Sequence, residues 1–333
     1  MPRFGKDHPE LMSAMARIYA PVLVTYLLSI VLFEAFSECG SLMASLKDWT
    51  PPEATGGLDG LIARGNDTLL YLAAVFGLSG ACIFGFVFSL GVIRGQAVGQ
   101  LRRTLLLLAF VTWAIGSMCV LVIAPNAHSC IVSEYLTFPR TALEMVAPGH
   151  PLLHEVLGLK AANLLMDGCV IFSNLGFWSL AAALAVVLRS RAPRSPDEHM
   201  SWIRTSQELT SQLIIVASIV FIACTVSMGF WLRLPWADLP HDAPFTNYSV
   251  ALNVYYGVTV SALIAAAYTS CTMYIRNQAH SLAVSQVGRG NATKWMEDNN
   301  LVHPLMTHIK QAPVLLAPLL ASLLPSASDI FFR

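Results

Sequence analysis

The stretch from Leu209 to Leu232, LTSQLIIVASIVFIACTVSMGFWL, runs for 24 residues without a charge or a proline. About 20 predominantly apolar residues in helical form are enough to cross the hydrocarbon core of a bilayer. Within lipid every backbone N–H and C=O must find its partner inside the protein, and a helix supplies those partners from its own segment. A barrel strand would be about 10 residues long and would alternate polar with apolar positions, and this stretch does not alternate. It reads as a transmembrane helix, and that reading decides the fold because the pattern recurs.

Five further stretches have the same character: Arg17 to Phe36, Leu69 to Ile93, Thr104 to Ala124, Asn163 to Leu188, and Ala251 to Ile275. Composition agrees. Of 333 residues, 55% are apolar and 12% charged, against about 25% charged in an ordinary soluble domain. The expected fold is therefore all-α, a polytopic bundle of about six spans. The first segment is longer than a signal-peptide core, carries Glu34 near its end, and lacks a small-residue cleavage site, so it is expected to be retained. Two regions follow: a six-helix membrane domain over residues 1–276 and a tail over residues 277–333.

Charge gives the bundle a direction. With the N-terminus placed in the cytoplasm, fifteen of the twenty Lys and Arg residues fall on that side and five on the other. The positive-inside rule then puts both termini, and the tail, in the cytoplasm. Twelve acidic residues lie on or near the outer side and eight inside, so the outer face is negative. Trp49, Tyr71, Trp231, Trp236 and Tyr248 cluster at the outer boundaries, as amphipathic rings at the headgroup level do.

Several side chains within the spans are candidates for function. Ser211, Ser218 and Thr225 recur every seven residues in the fifth segment, and the sixth carries Asn253, Tyr256, Ser261 and Thr269. Such groups line an aqueous path or hydrogen-bond neighbouring helices. They are the pore-lining candidates if a pore exists. Glu34 and Asp167, near the outer ends of the first and fourth segments, are candidates for an acidic vestibule that concentrates cations. Gly77, Ala81 and Gly85 in the second segment have the four-residue spacing of small residues at close helix contacts. Cys39 and Cys130 are the two cysteines in outer loops, and a disulfide between them would tie those loops together. His150 and His154 have helical spacing for a shared metal, but no third ligand follows, so no metal is expected. Asn66-Asp67-Thr68 and Asn247-Tyr248-Ser249 match the glycosylation pattern.

In the tail, Leu315/Leu316, Leu319/Leu320 and Leu323/Leu324 repeat every four residues between Pro313 and Pro325. This spacing predicts a short apolar helix that packs on the bundle, lies on the membrane surface, or re-enters it.

No nucleotide loop, cofactor motif or convergent catalytic set is visible. The chain is not expected to be an enzyme, to carry a cofactor or to bind nucleic acid. The polar fifth and sixth segments and the acidic outer face point first to a channel-like membrane protein, a regulated ion channel or membrane effector. The alternatives are a structural or sensory subunit that anchors partners, and a secondary transporter. Lipid is the expected environment, with a homo-oligomer or another membrane subunit as partner, in a plasma or bacterial inner membrane.

Overall fold

A computed structural model of the chain describes residues 8–36, 58–96, 110–111, 113–114, 135, 138–146, 158–188, 195–236, 244–301 and 305–325. Among these residues there are helices and turns and no strand. The helices are α1 (His8–Phe36), α2 (Leu58–Gln96), α3 (Phe138–Val146), α4 (Gly158–Val187), α5 (Pro196–Arg233), α6 (Pro244–Val287), α7 (Ala292–Asp298) and α8 (Leu305–Ala321). A 3₁₀ turn, Leu234–Trp236, follows α5, and another, Arg289–Asn291, precedes α7.

Among the described residues four helices are long and apolar enough to cross a membrane: Thr68–Gln96, Leu164–Val187, Pro196–Arg233 and Asn247–Val287. They correspond to the second, fourth, fifth and sixth apolar segments. The first segment forms α1, whose apolar stretch Ala20–Ala35 is shorter. The third lies mostly outside the described residues. It is represented by Phe110, Val111, Trp113 and Ala114, where Trp113 donates from Nε1 to the Ile171 carbonyl of α4 at 3.1 Å.

Both faces of these helices are apolar, as expected of segments with hydrocarbon on the outside. On α2, Tyr71, Val75, Leu78, Cys82, Gly85, Ser89 and Val92 are buried. Their alternating spacing of four and three makes a continuous seam. The opposite face holds Leu69, Phe76, Ile83, Phe84 and Val87, each more than half exposed. A soluble protein would not leave such a stripe in water.

α2, α4 and α5 form the centre of the core. At Gly85, an added Cβ would lie 3.0 Å from Val220 and 3.8 Å from Leu180. At Gly176 it would lie 3.3 Å from Val220 and 3.6 Å from the Cys82 backbone. The three helices meet at these two glycines. Gly85 thus makes the close contact expected of it. Gly77, by contrast, is exposed and has nothing within 4 Å, and Ala81 is half-buried. A four-residue step advances about 40° around a 3.6-residue helix, so the stripe Gly77, Ala81, Gly85 rotates from the outside into the seam.

α5 starts well ahead of its apolar run. Ser195 caps it, accepting from the Glu198 N–H at 3.2 Å. Pro196 takes the first turn, with Asp197 and Glu198 beside it. Each of these suits a helix N-terminus, where N–H groups lack partners and the dipole is positive. At this end Arg204 donates to the Asn299 carbonyl at 2.8 Å, and Gln207 donates to the Leu301 carbonyl at 2.9 Å. This is the Arg204 end of the bundle, covered by α7. The other is the Arg233 end.

The described residues beyond 276 pack on the bundle. α6 continues to Val287, α7 packs on it, and α8 runs back along α5 and α6. Leu315 packs with Ile214, Val260, Ile264 and Tyr268. Further on, the Leu319 N–H donates to Ser261 Oγ at 3.1 Å, and Asn253 Nδ2 donates to the Ser322 carbonyl at 2.7 Å. Arg233 donates to the Pro325 carbonyl. These partners step from the middle of α6 toward its start, so α8 is antiparallel to α6 and finishes at the Arg233 end. In the first two leucine pairs the first member packs inward, and both Leu323 and Leu324 are exposed. Leu315 and Leu319 are half-buried, whereas Leu316 and Leu320 are exposed.

Candidate functional site

The densest set of aromatic and polar groups lies at the Arg233 end, where α1, α2, α4, α5 and α6 meet under α3. Trp231 donates from Nε1 to the Tyr135 carbonyl at 3.3 Å, and Tyr135 donates from Oη to the Leu252 carbonyl at 2.7 Å. Tyr71 stacks against Trp231 with centroids 5.8 Å apart, and Phe138 meets Tyr248 edge-on at 6.0 Å. Phe33 lies 5.1 Å from Tyr255 and 6.0 Å from Tyr135, while Tyr255 Oη donates to the Ser29 carbonyl of α1 at 2.5 Å. These offset and edge-on pairs add to what burial alone contributes. Tyr71 and Trp231 are 0% and 1% exposed. They are therefore core residues of the helix cap, not anchors in the headgroup layer.

α3 brings one charge into this cap. Arg140 forms an ion pair with Asp167 of α4, both side chains about a quarter to a third exposed (27% and 34%). Tyr71 lies within electrostatic reach of both. Tyr71 Oη, Thr68 Oγ1 and Arg140 Nε are buried and make no hydrogen bond with the described protein atoms. The cluster thus presents polar atoms from α2 and α3 around a neutralised pair. The pairing was not legible from sequence, because its members are 27 positions apart. Asp167 is balanced by Arg140, and Glu34 sits on the exposed side of the α1 terminus.

The seven pore-lining candidates divide. Asn253 and Ser261 bond the C-terminal segment. Thr225 donates to the Phe221 carbonyl of its own helix at 2.8 Å. Tyr256 packs against Tyr135 with centroids 6.0 Å apart. Ser218 is buried, with no hydrogen bond at its hydroxyl; Ser211 is half-buried, and Thr269 is exposed on the outside of α6. The structure does not bring these residues together on one surface. Between α2 and α5, Ser227 supplies an interhelical bond instead, donating to the Ala74 carbonyl at 2.9 Å.

Two small residues, Gly229 and Gly257, complete this end. A Cβ at Gly229 would lie 2.4 Å from Pro325 and 2.5 Å from Asn253 Nδ2; at Gly257 it would lie 2.8 Å from Ser322. Their signal was present, since Gly257 belongs to a four-residue stripe with Ser261 and Ala265, but the partner was not visible.

Cys39, Cys130, His150 and His154 lie outside the described residues. Among those described, no three metal-ligating side chains gather. Cys82, Cys169, Cys224 and Cys271 are buried free thiols. Both glycosylation patterns fall within helices, and their hydroxyl residues Thr68 and Ser249 are 6% and 4% exposed, an unfavourable setting for modification of a surface loop. Comparison with protein families, characterised proteins and solved structures finds no match to this chain.

Proposed function

We propose that the protein is a structural or sensory subunit of a membrane, with the Arg204 end and the N-terminus in the cytoplasm and all six apolar segments crossing. The charge bias of the loops supports this direction, and the apolar outer faces of α1 and α2 suit acyl chains or a neighbouring subunit. A plasma or bacterial inner membrane fits the composition.

The observation that carries the reading is the fate of the polar groups in α5 and α6. Asn253 and Ser261 are occupied by the C-terminal segment, Thr225 by its own backbone, and Thr269 faces outward. Interhelical bonding of this kind is the ordinary use of such residues. It leaves the cap at the Arg233 end, with its ion pair and aromatic cluster, as the surface best suited to a partner or stimulus.

A channel-like effector is the second reading. It is favoured by Ser218 Oγ and Asn253 Oδ1, which are buried without hydrogen bonds, Asn253 lying against the C-terminal segment. Purified protein in planar bilayers separates the two. The subunit reading expects no conductance from the full chain or from a chain ending at residue 304. Conductance from the full chain contradicts it, and conductance from the shortened chain alone supports the second reading.

A further inference from the structure

The segment from Leu301 to Pro325 touches both ends of a single helix. Its start is held by Gln207, through the bond to the Leu301 carbonyl, with Arg204 fixing the preceding Asn299. Its end is held by Arg233, which donates to the Pro325 carbonyl, and packs into the space left by Gly229. Gln207 and Arg233 are 26 residues apart on α5, about 39 Å at the rise of an α-helix. α8, Leu305–Ala321, is 17 residues, about 25 Å in helical form, and the four residues that follow carry the segment on to Pro325 at the Arg233 end, a reach close to the thickness of the hydrocarbon core.

We infer that the C-terminal helix is a seventh membrane crossing, so that the chain beyond Pro325 emerges on the face opposite the N-terminus. This departs from the sequence expectation of two cytoplasmic ends, and it rests on the membrane reading above.

Three features make the crossing physically sound. From Leu316 onward the segment turns leucines outward: Leu316, Leu320, Leu323 and Leu324 are 50%, 62%, 48% and 53% exposed, as lipid-facing side chains are. Its inner face is narrow and meets a seat of small residues, Gly229, Gly257 and Ser261, which lets the backbones approach. Its polar needs are met along the way. Pro318 interrupts the helical ladder, and the neighbouring Leu319 N–H is taken by Ser261. The last turn leaves carbonyls without helical donors, and Asn253 and Arg233 donate to Ser322 and Pro325. Without those two donors the segment's end would carry orphan acceptors.

The loop charges permit it. Moving Arg333 across changes the Lys and Arg split from fifteen against five to fourteen against six, so the positive-inside bias survives.

The test uses the full chain with a different epitope tag at each end, in sealed membrane vesicles of uniform orientation. Added protease is expected to remove one tag and spare the other, with both removed once detergent opens the vesicles. Both tags sharing one fate, in protein that resists carbonate extraction, would overturn the seventh crossing while leaving the membrane reading intact. Loss of both tags together with release by carbonate would instead remove the membrane reading, and the inference with it.

Discussion

Replacing Gly229 with alanine tests how the C-terminal helix is held. The new Cβ would stand 2.4 Å from Pro325 Cγ, 2.5 Å from Asn253 Nδ2 and 3.0 Å from Asn253 Cγ. Real Cβ atoms do not approach so closely, so either Pro325 lifts away or Asn253 rotates out of its 2.7 Å bond to Ser322. Overpacking of this kind costs about 1–3 kcal/mol, and an interhelical hydrogen bond in a membrane protein contributes about 0.6 kcal/mol. Alanine offsets part of this, because it favours a helix over glycine by about 1 kcal/mol. The net cost is about 1.5 kcal/mol, roughly a tenfold weakening of docking. Hydrogen exchange measured by mass spectrometry reports such local opening. Peptides from residues 305–325 are expected to exchange about tenfold faster in Gly229→Ala, with peptides from α2 and α4 unchanged. Gly77→Ala is the control, since Gly77 has nothing within 4 Å, and it should leave exchange the same or slower. Equal exchange of residues 305–325 in Gly229→Ala and the parent protein would refute the reasoning.

Other perturbations reach other parts of the bundle. Asp167→Asn leaves Arg140 without its counter-charge in a partly buried site, and a thermal melt in detergent should show a loss of about 1–3 kcal/mol, between the values for exposed and fully buried pairs; an unchanged melt would mean the pair does not form. Tyr135→Phe removes the 2.7 Å bond to Leu252 while keeping the ring, and should cost about 1 kcal/mol in the same assay. Ser195→Ala removes the cap of α5 and should cost about 1 kcal/mol, seen as faster exchange in residues 196–200. Thr269→Leu, on the outside of α6, should leave the melt within about 0.5 kcal/mol of the parent.

How far the sequence could be read depended on whether a feature was local. The runs around Leu78, Leu180, Val220 and Ile264 are long and carry no charge but Asp167, and each becomes a helix long enough to cross. Their boundaries were less visible, because hydropathy marks only the apolar part. α5 begins at Pro196, thirteen residues before its apolar run, since Ser195 caps it and Asp197 and Glu198 favour its first turn. α6 likewise continues twelve residues past Ile275 to Val287. The aromatic residues at the outer boundaries fitted two roles, and only packing distinguishes a headgroup anchor from Tyr71 and Trp231, which are core.

Features that depend on pairing could not be read at all. Arg140 and Asp167 look independent in sequence. The small residues Gly229, Gly257 and Ser261 form the seat for α8, yet each is unremarkable without knowledge of what approaches. Three prolines and the charge at Lys310 shortened the apparent apolar run of the tail, which hid how far it travels. Ser261 and Asn253 fit a pore as well as a helix contact, because the same hydroxyl and amide groups serve both.

The course of the C-terminal segment is the claim on which the account turns, and paired spin-label distances test it most directly. Asn253 and Arg276 are 23 residues apart on α6, about 35 Å along the helix, and the end of the C-terminal segment lies level with Asn253. Labels at Leu324→Cys and Val258→Cys, both on exposed positions, should therefore lie within about 20 Å of each other, and labels at Leu324→Cys and Arg276→Cys about 35 Å apart. A short distance to residue 276 and a long one to residue 258 would place the segment at the Arg204 end and contradict the account.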